Sequence, residues 1–247
     1  MTYDGPAPDA FLPRDEVIGL FRNYAARIAA PVLLGTEGTR VSAANGGFSV
    51  DTNHGGWQAR NVVLANGAFQ LPRIPPAAAA LPGHIRQLHS NDYRNPQQLP
   101  DGAVLVVGTG QSGGQITEDM LDAGREVHLS VSTCPEAPRR HRGRDVFHWN
   151  LQVNLHGPRY GINGLQAEQL PSPAARFMCN PLISGNGDGH SIHLRDLGRR
   201  RVRLHGRLEG TDDGGLVFSD DLPAGLAQEF EILIRSAKVR SPIGRPA

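Results

Sequence analysis

The chain has 247 residues, 39% of them apolar, enough for a packed core in one large domain or two small ones. Its 25 Lys plus Arg balance 24 Asp plus Glu, so no global field points to nucleic acid, a membrane surface or a polyacidic partner. The apolar runs are too short to span a bilayer, residues 1–12 carry no signal-peptide pattern, and Cys134 and Cys179 match neither a disulfide framework nor a zinc site, so a cytoplasmic protein is expected.

Residues 15–29 read as an amphipathic helix, with Asp15 as N-cap, Val17, Phe21, Tyr24 and Ile28 at helical spacing, and Pro31 closing it. Short β-rich runs follow at Val32–Leu34, Phe48–Val50 and Trp57–Leu64, separated by Asn45-Gly46-Gly47 and His54-Gly55-Gly56, which favour hairpin turns. From 71 to 101 the chain is proline-rich and reads as an extended connection, because proline lacks the N–H that a helix interior or central strand requires. A domain boundary is expected there.

Ala103–Val107 is a continuous apolar run without polar alternation, as in a parallel strand covered on both faces. Ile116, Met120 and Leu121 then recur at helical spacing, Gly124 stops the helix, and Val127, Leu129 and Val131 resume as a strand. Strand, helix and strand in about thirty residues make a βαβ unit. Further on, the glycine-rich SGNGDGH at 184–190 precedes a short helix near 191–198, a strand at Arg201–Leu208, a Gly214-Gly215 turn and a last helix near 222–234. The segments are therefore 1–75, a linker at 76–101, a nucleotide-binding domain at 102–210, and a hairpin and helix at 211–247.

The most informative stretch is V-L-V-V-G-T-G-Q-S-G-G-Q, which puts Gly108, Gly110 and Gly113 in GxGxxG spacing directly after the strand and at the start of the helix. Gly108 permits the tight turn, Gly110 lets backbone approach a pyrophosphate, and Gly113 lets the helix pack close to the strand. The phosphates would sit on the free N–H groups and positive end of the helix, within reach of Thr109, Gln111, Ser112 and Gln115. Gly114 adds a fourth glycine in the first helical turn, at a cost of about 1 kcal/mol relative to alanine.

An NAD site usually places a carboxylate about 20 residues on, at the end of the second strand, to grip the ribose hydroxyls. This chain has Ser130-Val131-Ser132 instead, with Arg139, Arg140 and Arg142 shortly downstream. Without a carboxylate to repel a 2′-phosphate, Ser132, Arg139 and Arg140 favour NADP(H) over NAD(H); the alternative is that these arginines only solvate a loop.

Three segments go beyond a generic βαβ unit: V-V-L-A-N-G-A-F-Q-L-P-R-I-P at 62–75, H-S-N-D-Y-R-N-P at 89–96 and G-T-G-Q-S-G-G-Q at 108–115. Together they resemble the flavin-containing monooxygenases and their bacterial relatives, in which the first is written ATGxxxxPxxP, the second HSxxY and the third GxGxSGxx. F-L-P-R-D-E-V at 11–17 also resembles the helix that precedes the β-meander in bacterial members. The resemblance implies an α/β fold, with a Rossmann-like NAD(P)-binding domain plus the remnant of the FAD domain, β-meander included, of a two-dinucleotide-binding flavoprotein. It further implies hydride transfer from NADPH to FAD and oxygenation of a small organic substrate, with Asn66 and Gly67 near the cofactor. The cofactors would carry the chemistry, and no His, Glu or Ser stands out as an obligatory acid, base or nucleophile.

Departures accompany these matches. Asn66 replaces the threonine of ATG, Gly83 lies further from His89 than the family spacing places it, and Met1–Phe11 holds no strand and GxGxxG for FAD. The chain is therefore read as incomplete at both ends, with apolar surface of the first segment left uncovered. The alternative is a non-catalytic NADP-binding module, or half of a split flavoprotein whose partner chain supplies the FAD-binding part. A short-chain reductase is disfavoured, because no Tyr-x-x-x-Lys follows and the sole lysine is Lys238.

His190 and His193 could be imagined as metal ligands, but no HExxH, cysteine pair or carboxylate at ligand spacing joins them, so surface or capping roles are expected. Arg199–Arg203 is read as complementing a helix end rather than contacting nucleic acid. Trp57 and Trp149 are expected to pack, Trp149 alternatively lining a cleft.

Overall fold

A computed structural model of the chain describes residues 11–67, 71–132, 136, 138–148, 167–169, 182–187, 189–212, 215–222 and 226. Trp149, Cys134, Cys179 and most of the helix expected at 222–234 lie outside the described residues. The chain divides into two units, Met1–Pro72 and Arg73–Ala247. Among the described residues, no helix is long and apolar enough to cross a membrane.

The first unit opens with helix α1, Arg14–Arg27. Asp15 is not its N-cap: Pro13 takes that position, and Asp15 sits in the first turn, bonded by the Arg14 guanidinium at 3.0 Å. The helix ends at Ile28 because Ala29 turns left-handed at φ 48°, before Pro31 is reached. Strands β1 (Gly38–Ala44), β2 (Gly47–Thr52) and β3 (Gly55–Ala59) form an antiparallel meander in that order. Asn45 and Gly46, with φ of 42° and 79°, make the β1–β2 turn with both central residues left-handed, the geometry that matches strand twist.

Two expected runs differ. Val32–Leu34 is not a strand and Leu34 is exposed, whereas β1, whose one large apolar residue is Val41, is a strand by virtue of its pairing with β2. The third run stops at Ala59, and Val63 and Leu64 are exposed. Val41, Val50 and Trp57 form one cross-strand row, the kind of contact that stabilises a small sheet. Phe21, Val41, Phe48 and Trp57 are all exposed, so apolar surface of this unit is uncovered, as the sequence implied.

The second unit is built on a parallel sheet of β4 (Val104–Val107), β5 (Val127–Ser130) and β10 (Arg203–His205), ordered β10-β5-β4. The order is that of one mononucleotide-binding half of a Rossmann fold, with successive strands added to one side. Central β5 is the best buried strand of this sheet. Edge strand β4 buries Val106 but exposes Val107, so its apolar run is not covered on both faces.

Helix α2 (Gln111–Asp122) crosses between β4 and β5 and buries Thr117 and Met120, the latter in one core cluster with Leu129, Leu182, Ile192, Leu194 and Leu197. It stops at Gly124, φ 75°, where the Gly124 N–H reaches Leu121 O and the Arg125 N–H reaches Met120 O, a Schellman end. Helix α3 (Leu194–Arg199) ends the same way, the Arg201 N–H on Gly198 O and the Val202 N–H on Leu197 O, but its left-handed residue is Arg201, φ 74°.

Among the described residues the unit also has three short hairpins: β6–β7 (Arg140–His141 and Arg144–Asp145), β8–β9 (Ile183–Ser184 and His190–Ser191) and β11–β12 (Leu208–Asp212 and Gly215–Phe218). The strand expected at Arg201–Leu208 is thus two elements, β10 and the start of β11. The arginine run is accounted for by α2 and the start of β5: Arg200 bonds Asp122 at 2.6 Å, Arg203 bonds Glu126 at 3.0 Å, and Arg199 bonds Asp196 within α3.

Candidate functional site

The glycine loop leaves the end of β4 and enters α2 in three steps. Gly108 stands at φ 99°, a conformation that side-chain-bearing residues rarely adopt, and its N–H is held by Ser130 O at 3.0 Å. Gly110 is the N-cap of α2, and a Cβ built there would meet nothing within 4 Å, so the space above its backbone is open. A Cβ on Gly113 would lie 2.0 Å from the Gly108 carbonyl oxygen, so only glycine lets helix and strand pack this closely.

Gly114 has a packing reason of its own. A Cβ would come within 3.1 Å of Leu182 and 3.3 Å of Ile192, so the glycine lets β8 and the end of β9 lie against the helix. The first turn of α2 has no side-chain cap and no acidic residue, whereas α1 carries Asp15 and Glu16 there. An uncapped helix start without carboxylates suits an anion, through its free N–H groups and its dipole.

Thr109, fully buried, latches this turn to the end of β5. Its hydroxyl donates to Ser132 O at 2.9 Å, accepts the Ser132 N–H at 3.1 Å and lies 3.3 Å from Ser132 Oγ. Thr109 and Ser132, both read from the sequence as cofactor contacts, are thus brought together by each other. Gln111 and Gln115 point their amides at Ile183 O, at 3.5 and 3.1 Å, and tie α2 to β8.

Ser112 opens onto a cleft of about 460 Å³ that runs along α2, with Ser90 and Tyr93 on one side and Ser184 and Asn186 on the other. Asp119 accepts the Tyr93 hydroxyl proton in a hydrogen bond. Burial, that bond and the carboxylate charge hold the Tyr93 hydroxyl above its ordinary range. Glu118, buried in the cleft wall, pairs with His190 at 2.8 Å.

The two arginines differ. Arg139 is 5% exposed, with Nε on Asp145 at 2.7 Å and its guanidinium over the Phe147 ring at 5.3 Å, so it is turned inward rather than toward a phosphate. Arg140 is exposed on β6. Asn66 and Gly67 belong to the first unit, where Gly67 takes φ 76°.

His190 and His193 do not converge; each meets a different buried carboxylate, Glu118 or Glu136. Glu136, Asp145, Glu118 and Asp119 are the residues that sequence reading missed. Glu136, Glu118 and Asp119 meet their partners far along the chain and Asp145 meets Arg139 only once the hairpin closes, so no local pattern marks them; only Tyr93, inside the HSxxY-like stretch, carried a signal.

A family model described as pyridine nucleotide-disulphide oxidoreductase matches residues 7–146. A CzcO-like oxidoreductase of Geobacillus kaustophilus is 38% identical over 149 residues, 60% of this chain and 42% of the relative. A flavin-containing monooxygenase of Arabidopsis thaliana, FMO GS-OX-like 7, is 39% identical over 97 residues, 37% of this chain and 20% of that protein. A variant flavin monooxygenase from Stenotrophomonas maltophilia superimposes with a TM-score of 0.51 at 25% identity, covering 62% of this chain and 44% of that one. The chain spans about half the length of the curated relatives it matches. The βαβ unit with its GxGxxG turn and the preceding meander are features the match spans, and the chain belongs to the pyridine nucleotide-disulphide oxidoreductase family.

Proposed function

We propose that the chain binds NADPH on the Gly108–Gly113 turn and works within a flavin oxidoreductase of the monooxygenase type, acting on a small organic substrate. The observation that carries this reading is the glycine geometry: Gly113 is required by packing, while Gly110 has open space and no packing reason to be glycine. A residue without a Cβ beside an open, uncapped helix start fits the close approach of a pyrophosphate.

NADPH, when bound, would supply a hydride, and FAD the oxygen chemistry. The residues of this chain bind and orient. The α2 N–H groups hold the diphosphate, and the Thr109–Ser132 latch fixes the turn against β5. The described part of the first unit does not fit an FAD pyrophosphate: its helix, α1, carries Asp15 and Glu16 in the first turn, which repel phosphate. The second reading is an NADP-binding module, or half of a split flavoprotein whose partner chain brings the FAD-binding part.

Quenching of NADPH fluorescence tests the first step. The wild type is expected to quench it and Gly110→Glu to abolish the effect; quenching that survives Gly110→Glu refutes the site. Addition of FAD and a reading of NADPH consumption then separates the two functions, since consumption supports the oxidoreductase and binding without consumption supports the module.

A further inference from the structure

The end of β5 and the β6–β7 hairpin are the two places where the adenosine end of the dinucleotide is expected to be read, and a buried carboxylate lies between them. Glu136 is 6% exposed. Its Oε2 meets His193 Nδ1 at 2.8 Å, and its Oε1 accepts the Leu194 N–H at 2.5 Å. It thereby caps α3 from 58 residues away, while His193, at the N-cap position, makes no side-chain cap bond.

Two further bonds continue the attachment. The Arg139 N–H donates to Ser191 Oγ at 2.8 Å, and the Arg139 guanidinium bonds Asp145 across the base of the hairpin at 2.7 Å. Glu136 and Arg139 are therefore held by contacts to β9 and the start of α3, while Ser132 is held by Thr109. Helix α3 is itself fixed in the core by Leu194 and Leu197.

Removing a carboxylate from water costs several kcal/mol unless bonds compensate, and those bonds demand a fixed geometry. We propose that Glu136 is a positioning residue for cofactor selectivity: bonded to the His193–Leu194 junction three residues before Arg139, it holds the arginine-bearing hairpin where a 2′-phosphate is distinguished from a 2′-hydroxyl. The inference rests on the NADPH reading and concerns selectivity rather than overall affinity. Glu136 makes no contact with the glycine turn that would hold the pyrophosphate, so its loss weakens NADPH and leaves NADH unaffected.

Titration of the full chain with NADPH and with NADH, in the wild type, Glu136→Ala, Glu136→Gln and His193→Ala, tests it. The wild type favours NADPH, and Glu136→Ala lowers the NADPH-to-NADH affinity ratio about tenfold with NADH binding unchanged. Glu136→Gln, which still accepts the Leu194 N–H, restores most of the ratio. His193→Ala, at a half-exposed side chain whose loss leaves the α3 cap in place, lowers it about threefold. If Glu136→Ala does not fold, His193→Ala decides: an unchanged ratio overturns the proposal. Equal losses for both nucleotides also overturn it, since they would show only structural support. A wild type that ignores NADPH overturns the parent reading as well, whereas a preference for NADPH that is indifferent to Glu136 and His193 overturns this inference alone.

Discussion

The carbonyl oxygen of Gly108 occupies the place where a Cβ on Gly113 would stand, the two points being 2.0 Å apart. Gly113→Ala must therefore push α2 off β4, and a cost of about 3 kcal/mol is expected for overpacking against rigid backbone. Gly110→Ala meets nothing and keeps an allowed φ of −67°, so its stability should stay within about 0.5 kcal/mol of wild type. Urea melts of the two variants beside NADPH titrations check the contrast: Gly113→Ala loses fold and binding together, and Gly110→Ala loses binding alone. Equal stability of both would remove the packing account of Gly113.

Thr109→Val replaces a buried hydroxyl by a methyl and leaves the Ser132 N–H and C=O without that partner. A loss of about 2 kcal/mol is expected, the cost of stranding polar groups in a part-buried place. Thr109→Ser keeps the bonds and gives up one methyl, about 1 kcal/mol. Chemical denaturation that ranks Ser below Val in stability would contradict the latch.

Arg201 occupies the left-handed position of a Schellman end where glycine is usual. A left-handed non-glycine residue costs about 1–2 kcal/mol, and the added freedom of glycine in the unfolded chain takes back about 0.4–1. Arg201→Gly should therefore stabilise the protein by about 0.5–1 kcal/mol, which a thermal melt resolves.

His205 stacks on His128 with ring centroids 5.1 Å apart and on Phe218 at 4.5 Å, and its Nε2 lies 2.8 Å from His128 Nδ1. Burial, then the His128 and Arg203 charges, hold its pKa below the ordinary 6.5, although Glu126 beside His128 and Arg203 offsets part of that field. The unfolded chain then binds protons that the folded one resists. Stability is therefore full above about pH 6.5 and falls as the pH drops below it. Urea midpoints measured from pH 7.5 down to pH 5.5 should decline, and His205→Gln should flatten that slope; a slope indifferent to the substitution would place the titrating group elsewhere.

The βαβ unit was legible because its signals are local: an unbroken apolar strand at 104–107, helical spacing through Met120, and glycines whose spacing encodes both turn and packing. Gly114 was read only as a helix penalty, because its reason lies in Leu182 and Ile192, about seventy residues on. A different cause hid the inward turn of Arg139, whose partner Asp145 is only six residues on. Its charge is visible in the sequence, but whether Asp145 claims it depends on the β6–β7 hairpin closing. Strand β1 escaped notice for a different reason: G-T-R-V-S-A-A has little intrinsic β pattern, and pairing with β2 makes it a strand.

Helices α1 and α2 have nearly the same length, 14 and 12 residues, yet α1 buries no residue at all while α2 seals Met120 and Thr117 completely. A helix of that length with no fully buried residue is marginal in water, and charges at its ends add only a few tenths of a kcal/mol each. The two helices should therefore differ in amide hydrogen exchange. The amides of α1 open by local fraying and exchange close to the open-chain rate, whereas those at the centre of α2 wait for the parallel sheet itself to come apart.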